Sequence, residues 1–418
     1  MKRKLFIISL VVGLLIVQGL SAHAKPERDN RIPGQYIVVF KDSVKDVDSV
    51  AGEIERKHKG EHVAAYHHAL RGFAVAMSSE EVEKVKKDSR VDFVVEDREV
   101  NILGKFEGSK TVISQAQISP TGIMRVNAPS SIAKGLGITV AVIDTGIDLK
   151  HSDLAGNILN NGTSCIRRTT SNDDNGHGTH VSGTIAALDN GIGVVGVAPQ
   201  AKLIPIKVLD RNGSGTWSSV ICGIDWVTAH ASQYNIKVAN MSLGGSGTSD
   251  NNCGNTNNDV LHKAICKSRD AGVTYVVAAG NENTNSANSV PASYDDAVIT
   301  VSALADSNGL PGGTGPATNY GADDTFATFS NFGSIVDLGA PGVSIYSTWK
   351  GGSYATLSGT SMASPHVAGA AALYLNAHPG STWTQIRDGL RSIGEAVGFG
   401  HTDPSGLHPE PVLNASTL

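Results

Sequence analysis

Residues 138–148 read ITVAVIDTGID, an almost unbroken apolar run that ends at Asp144 and is followed by a Thr-Gly turn. Such a run is typical of a strand that is buried on both faces of a sheet. Further apolar runs of this kind lie at 202–210, 237–243, 273–281 and 297–304. Segments with helical periodicity alternate with them, at 178–188, 218–231 and 259–272. This alternation predicts an α/β fold: a largely parallel, doubly wound sheet with helices on both faces.

A smaller unit precedes this one. Residues 34–103 show strand and helix patterns in the order β-α-β-β-α-β, which predicts a small α+β, ferredoxin-like plait. QYIVVFK (35–41) is a strand pattern, and SSEEVEKVKKD (78–88) begins like a helix, with a serine cap and an acidic first turn. The stretch 104–115 has weak patterning and is interpreted as a linker to the larger unit, residues 116–418.

The N-terminus has the three parts of a secretory signal: the basic MKRK, the apolar LFIISLVVGLLIV and the small-residue stretch SAHA. We expect cleavage after Ala24, so that the plait and its leading residues span 25–103. A membrane anchor is the alternative, but Gly13 interrupts the apolar run, and no later segment is apolar enough to span a bilayer. The sequence therefore predicts a secreted protein with no membrane partner once the signal is removed.

The distribution of charge indicates which kinds of partner the protein is suited to bind. Residues 1–113 carry a net charge of +2 and residues 114–418 a net charge of −7. The acidic larger part has no Lys/Arg run typical of nucleic-acid binding, and its charge suits calcium better than phosphate.

An even number of cysteines in an exported chain predicts two disulfides rather than free buried thiols. Three pairings are possible and the sequence does not decide among them; we favour Cys253–Cys266, which closes a short loop, with Cys165–Cys222. The sequence contains no Cys-x-x-Cys pair, so a zinc site is not expected.

Polar residues follow the apolar strands or begin helices, where active sites of α/β folds form. Asp144 ends the first strand, and Asn281 follows the strand pattern VVAAG (276–280). His177 and His180 lie in DNGHGTHVSG (174–183), where a loop becomes a helix. Ser361 begins the small-residue, apolar helix pattern of SGTSMASPHVAGAAALYL, where free N–H groups and the helix dipole favour a nucleophile.

Each of these features also has an ordinary explanation. Asp144 and Asn281 are common turn residues, and a serine at a helix start is often a cap, a role open equally to Ser358 and Ser364. Two histidines three residues apart could share a metal, although no further ligand pair is near in sequence. Together, however, an aspartate, a histidine and a serine supply what a serine nucleophile needs: a base, and a carboxylate that orients it.

The segments VAVIDTGID, GHGTHVSGT, AAGNEN and GTSMASPHVAG resemble the four signature segments of the subtilisin-like serine proteases, and the resemblance covers about residues 116–414. It implies Asp144 as the orienting carboxylate, His177 as general base and acid, and Ser361 as nucleophile, in the chain order of subtilisin. It also implies that Asn281 shares an oxyanion hole with the backbone N–H of Ser361. His180 would then be structural.

The same resemblance implies two substrate-binding edges and a pocket. NMSLGG (240–245) and NGSGTW (212–217) resemble the edges that pair with an extended substrate. The implied substrate-binding residues are Ser242, Leu243 and Gly244 on one edge, Gly213, Ser214 and Gly215 on the other, and Ala278, Ala279 and Gly280 in the pocket wall.

ALDNGIGVVGVAP (187–199) resembles the family's calcium loop. The implied Ca²⁺ ligands are all oxygens, as calcium prefers: the backbone oxygens of Leu188, Ile192 and Val194 and the side chains of Gln117, Asp153 and Asn190. The stretch 307–333 is longer than the simplest family members need. Asp323 and Asp324 could bind a second calcium there, but we favour a surface insertion.

The resemblance implies that the plait is a propeptide that assists folding, then inhibits, and is cut off within 103–115; the family pattern points nearest to Ala116 as the first residue of the mature enzyme. We therefore expect a secreted, calcium-stabilised, monomeric serine endopeptidase that acts on polypeptides. A sedolisin-type protease would need a glutamate in place of His177. The alternative from another class is a non-catalytic, calcium-binding scaffold with the subtilase fold, which would lack a triad residue. An inhibitor built on the plait alone is excluded by the attached catalytic part.

Overall fold

A computed structural model of the chain describes residues 30–111 and 116–418. The predicted signal peptide, residues 1–24, therefore lies outside the described residues, as do residues 112–115 of the predicted linker. Within the described ranges, no helix combines the length and the apolar character needed to cross a bilayer.

The small unit has the predicted β-α-β-β-α-β order. Its elements are β1 (Arg31–Phe40), α1 (Val47–His58), β2 (Glu61–Tyr66), β3 (Gly72–Ala76), α2 (Ser79–Val85) and β4 (Val91–Ile102). The side chain of Asp46 accepts a hydrogen bond from the Ser49 amide and caps α1, and Ser78 caps α2 in the same way through the Glu81 amide. One face of the antiparallel sheet packs on both helices, so this unit has a hydrophobic core of its own.

The larger unit alternates strands and helices as predicted. Its first half contains β5 (Lys105–Thr111), α3 (Thr121–Arg125), β6 (Thr139–Asp144), β7 (Thr163–Ser164), α4 (His177–Ala186), β8 (Lys202–Lys207), β9 (Ser214–Thr216), α5 (Trp217–His230) and β10 (Ile236–Met241). Its second half contains β11 (Leu243–Ser246), α6 (Val260–Asp270), β12 (Thr274–Ala278), β13 (Ser289–Val290), β14 (Val298–Ala305), β15 (Thr325–Phe326), β16 (Leu338–Pro341), β17 (Ile345–Trp349), β18 (Ser353–Ser358), α7 (Thr360–Ala377) and α8 (Trp383–Ile393).

The central sheet has the order β15-β14-β12-β10-β6-β8-β7, and β16 also pairs with β14. Every pairing in it is parallel except that of β14 with β15. Successive residues of β6 enter opposite layers: Val140 and Val142 belong to the core that contains α4 and α7, whereas Ala141 and Ile143 belong to the core that contains α5 and α6. The predicted doubly wound α/β fold is confirmed.

Two further pairings join the small unit and the linker to the larger unit. The end of β4 lies between β9 and β11 and is antiparallel to both, which places the plait and the substrate edges in one seven-stranded sheet. Strand β5 adds to the hairpin of β17 and β18. Leu103 and Gly104 connect β4 to β5, so both residues lie between two strands that pair with the larger unit.

The favoured cysteine pairing is confirmed: the disulfides are Cys165–Cys222 and Cys253–Cys266. Potential metal-ligand atoms of Cys253, His262, Cys266 and Asp296 lie within 4.8 Å of one another. Both sulfurs are bonded to each other, so this cluster is a disulfide with two polar neighbours in this structure.

Candidate active site

The structure brings Asp144 and His177 together in a fully buried pair. Asp144 is the last residue of β6 and His177 the first of α4. Nδ1 of His177 lies 2.9 Å and 3.0 Å from the two carboxylate oxygens of Asp144. An imidazole whose Nδ1–H donates to a carboxylate presents a basic Nε2, and no described residue makes a hydrogen bond to Nε2 of His177.

Asp173, which sequence reasoning missed, holds the start of α4. Its buried carboxylate accepts the amides of Asn175, Gly176 and Thr179 and the Thr179 hydroxyl, at 2.6–3.0 Å. These bonds satisfy free N–H groups at the helix N-terminus, where His177 lies. An acidic residue shortly before a predicted helix start was the signal that could have found it.

His180 lies one turn further along α4 and does not form a metal pair with His177. Its Nε2 lies 2.9 Å from the carbonyl oxygen of Ile345 and 3.2 Å from that of Ala355, so this nitrogen carries the proton. Burial lowers the pKa of His180 to about 3, which keeps the ring neutral at ordinary pH. The ring therefore ties α4 to the β17–β18 hairpin.

Ser361 lies in the first turn of α7, opposite the chain that leaves the plait. Its hydroxyl donates to the carbonyl oxygen of Ser242 at 2.8 Å and accepts from the amide of Leu103 at 3.0 Å. The rival serines do neither: the Ser358 hydroxyl accepts the Ser344 amide, and the Ser364 hydroxyl donates to Asn240.

The carbonyl oxygen of Leu103 accepts hydrogen bonds from two donors. Nδ2 of Asn281 lies 2.5 Å from it and the amide nitrogen of Ser361 lies 3.3 Å from it. This is the arrangement of an oxyanion hole around the carbonyl of a bound peptide. Gly359 is required beside it, because a Cβ at that residue would lie 2.2 Å from the same oxygen.

Thr360 orients the Asn281 amide, and the sequence did not suggest this role. The backbone amide and the hydroxyl of Thr360 both donate to Oδ1 of Asn281, each at 2.9 Å. With Oδ1 held by two donors, Nδ2 must face the Leu103 carbonyl. The Thr360 hydroxyl also accepts the amide of Gly280 at 3.1 Å.

The two edges expected to bind substrate both pair with β4. Leu243 and Gly244 lie opposite Ile102 and Asn101, while Ser214 and Gly215 lie opposite Asn101 and Val100. The carbonyl of Gly213 accepts the Ile102 amide at 3.0 Å. A Cβ on Gly244 would lie 3.0 Å from Cδ1 of Leu103, so this glycine leaves room for the leucine side chain. The remaining residues, Ala278, Ala279 and Gly280, are buried and lead from β12 to Asn281.

Comparison with known proteins agrees with this geometry. Residues 135–395 match the sequence profile of the Subtilase family (Peptidase_S8), and residues 35–103 match that of Peptidase inhibitor I9. The chain is 37% identical to subtilisin E of Bacillus subtilis (strain 168) over 413 residues, 95% of this chain and 96% of the relative. It is 35% identical to the alkaline protease of Shouchella clausii over 413 residues, 96% and 95% of the two chains. The chain belongs to the subtilase family.

Among solved structures, a cold adapted subtilisin-like serine proteinase matches with a TM-score of 0.58 and 34% identity, over 72% of this chain and 99% of that one. The protein is therefore a subtilisin-type serine endopeptidase that carries an I9 propeptide domain, an intramolecular inhibitor of the peptidase. These similarities favour an enzyme over the alternative of a non-catalytic scaffold with the subtilase fold.

The structure brings the side chains of Gln117 and Asp153 to the loop that the resemblance implied as a calcium site. Oε1 of Gln117 accepts the amides of Asn190 and Gly191, and Oδ2 of Asp153 accepts the Val194 amide. Asp153 is buried, its Oδ1 has no hydrogen-bond partner among the described residues, and burial raises its pKa. In the described part of the chain, no amide donates to the carbonyls of Leu188, Ile192 and Val194. A buried, unpaired carboxylate oxygen beside open carbonyls fits a hard cation such as calcium.

The carboxylates of Asp323 and Asp324 in the 307–333 insertion make hydrogen bonds and an ion pair within the protein. Asp324 is paired with buried Arg125, whose Nε lies 2.6 Å from Oδ1, and it also accepts the Gly313 amide. Asp323 accepts the amides of Ser307 and Gly315 and the Ser307 hydroxyl. These bonds support the interpretation of the stretch as an insertion folded on its own aspartates.

Proposed function

We propose that the protein is a secreted serine endopeptidase that cuts itself from its propeptide and then hydrolyses extended polypeptides through Asp144, His177 and Ser361. The observation that carries this proposal is the Leu103 carbonyl, held between Nδ2 of Asn281 and the Ser361 amide beside the buried Asp144–His177 pair. The chain thus lies in its own cleft as a substrate would.

In the acylation step, the Ser361 hydroxyl turns from the Ser242 carbonyl towards Nε2 of His177, which takes its proton as Oγ attacks the carbonyl carbon of Leu103. The negative charge that develops on the carbonyl oxygen is stabilised by Asn281 and by the Ser361 amide. Asp144 keeps the imidazole in the required tautomer and stabilises its positive charge.

His177 then delivers the proton to the leaving amine. A Cβ on Gly104 would lie 3.0 Å from Nε2 of His177, so the residue after the cut bond lies against the imidazole that must protonate it. Water, deprotonated by the same Nε2, next attacks the Leu103 acyl group on Ser361 and releases the free carboxylate.

The first cut therefore falls between Leu103 and Gly104. We assign residues 1–24 to the signal peptide, 25–103 to the propeptide, 104–115 to the linker and 116–418 to the catalytic domain. The pairing of β4 with β9 and β11 ends at Ile102, before the cut bond, and so does not depend on that bond, which supports the propeptide as a product-like inhibitor.

Calcium would be held by Gln117, Asp153, Leu188, Asn190, Ile192 and Val194. It would supply stability rather than chemistry, because it would neutralise the buried carboxylate of Asp153 and join the N-terminal segment to the loop. Gln117 already contacts this loop while Leu103 is in the cleft, so the uncut chain can offer the full set of ligands.

Intact-mass spectrometry of the purified chain tests the proposal. We expect the unmodified protein to yield a fragment that begins at Gly104, whereas Ser361→Ala remains folded and uncut. Ser364→Ala is the matched control and should be processed, because its hydroxyl faces Asn240. Normal processing of Ser361→Ala would refute the nucleophile, and a first cut elsewhere would refute the Leu103–Gly104 assignment.

A further inference from the structure

Strand β5 follows the bond that lies at Ser361 and pairs antiparallel with β18. The register runs from Lys105 opposite Ser358 to Thr111 opposite Tyr354, with one irregularity between Ala355 and Leu357. Strand β18 leads through Gly359 into the helix that carries Ser361. The segment on the leaving-group side of the cut bond is therefore bound as a strand over seven residues, Lys105 to Thr111, which are the second to the eighth residue after that bond.

Strand β18 has one edge available for this segment. Its other edge pairs with β17 over five residue pairs, and the sheet has the order β17-β18-β5. Without β5, the N–H and C=O groups along that edge of β18 would lack sheet partners, which makes the edge a template for another extended chain. A side-chain contact adds to the pairing, because the Ser344 hydroxyl donates to Oε2 of Glu107 at 2.9 Å.

We propose that the free edge of β18 is a docking edge for the part of a polypeptide substrate that lies C-terminal to the cut bond, out to about its eighth residue. The proposal rests on the proposed function, since it takes Leu103–Gly104 as the cut bond. Pairing through the backbone tolerates many sequences, so the expected partner is any unfolded, extended segment that is long on the leaving-group side.

The expected consequence is a preference for long substrates. Several net backbone hydrogen bonds, reduced by the cost of ordering a flexible segment, correspond to about a tenfold gain in kcat/KM. A substrate that ends soon after the cut bond cannot make these bonds, whereas its contacts with β9 and β11 are unchanged.

Paired substrates test this directly. A precursor with a specific protease-cleavage sequence at residues 112–115 allows residues 104–111 to be removed after processing. Fluorogenic peptides with the residues of Glu99–Leu103 before the cut bond and two or eight residues after it should then differ about tenfold in kcat/KM. A chromogenic substrate with the same five residues controls for catalysis. Equal kcat/KM for the two lengths would overturn the docking edge, while loss of the chromogenic activity would count against the proposed function.

Backbone methylation tests the pairing itself. In an antiparallel ladder, alternate residues direct their N–H groups to the neighbouring strand. The peptide GKFEGSKT (104–111) should inhibit hydrolysis of the long substrate, and N-methylation of one alternate set of its amides should weaken inhibition about tenfold. Methylation of the other set is the matched control and should have little effect. No inhibition, or equal effects of the two sets, would overturn the proposal.

A third measurement does not depend on catalysis. In the uncut Ser361→Ala chain, alternate amides of Lys105–Thr111 should exchange hydrogen at least tenfold more slowly than in the free peptide. Exchange at the free-peptide rate would overturn the docking edge and would leave the triad assignment untouched.

Discussion

Asp225 of α5 is expected to be a main determinant of how tightly the propeptide binds. Its Oδ1 accepts three consecutive backbone amides from the turn between β2 and β3: His67 at 3.1 Å, His68 at 2.7 Å and Ala69 at 2.7 Å. Oδ2 also accepts the His67 amide, at 3.1 Å. Asp225→Ala would remove every acceptor from these three N–H groups.

The expected loss of propeptide affinity follows from the number of hydrogen bonds that Asp225→Ala removes and from the access of water to the three amides. A hydrogen bond to a charged group contributes roughly 1.5–3 kcal/mol when it is dry. Here an open cleft of about 680 Å³ borders the same turn, so water can reach the orphaned amides, and we take about 1 kcal/mol per bond. Three bonds then give about 3 kcal/mol, or roughly 100-fold weaker inhibition.

The assay is inhibition of the processed enzyme by an added peptide of residues 25–103, followed with a short chromogenic substrate. Asp225→Asn is the matched variant, because an amide oxygen in the place of Oδ1 can still accept all three N–H groups. It should weaken inhibition less than Asp225→Ala, and neither variant should alter kcat/KM for the short substrate. Inhibition of Asp225→Ala as tight as that of the unmodified enzyme, or equal losses for both variants, would refute the reasoning.

Three further predictions concern the site and the calcium loop. Asn281→Ala should lower kcat about 100- to 1000-fold with little change in KM, a range carried over from the loss of such a donor in a subtilisin; an unchanged kcat would contradict the oxyanion role. Uncut Ser361→Ala should bind calcium in titration calorimetry and melt at a lower temperature with a chelator, whereas Asp153→Asn should weaken both effects; an unchanged melting temperature would make the loop an ordinary turn. His180 has a pKa of about 3 in the folded chain against 6.5 when unfolded, so the unfolded state binds more protons between these values. His180 should therefore contribute a fall of roughly 1.4 kcal/mol per pH unit below about 6.5 to the free energy of unfolding, measured by urea unfolding at several pH values as the difference in slope between Ser361→Ala and the same variant with His180→Gln.

Much of the fold could be predicted because it depends on neighbours in the chain. The apolar run before Asp144 and the caps at Asp46 and Ser78 act within a few residues, so strands, helices and their order follow from periodicity and capping. The four residues of the candidate site could also be predicted from the sequence, because they lie at strand ends and helix starts within recognisable segments. The family resemblance already implied that His180 is structural rather than half of a metal pair, and the separate partners of the two histidines, Asp144 and two hairpin carbonyls, agree with this.

By itself, the sequence determined the α/β class, the plait and the family, and it supplied the residues that we propose perform the chemistry. The tertiary structure alone decided that the end of β4 lies between β9 and β11, that Leu103 is the residue held at Ser361, and that Thr360 orients Asn281. It also chose among the three cysteine pairings. The physical reason is the same in each case: these contacts join segments that are far apart in the chain, and a strand edge, a carbonyl or a thiol accepts many partners with similar local energy. Only the packing of the whole chain selects one of them.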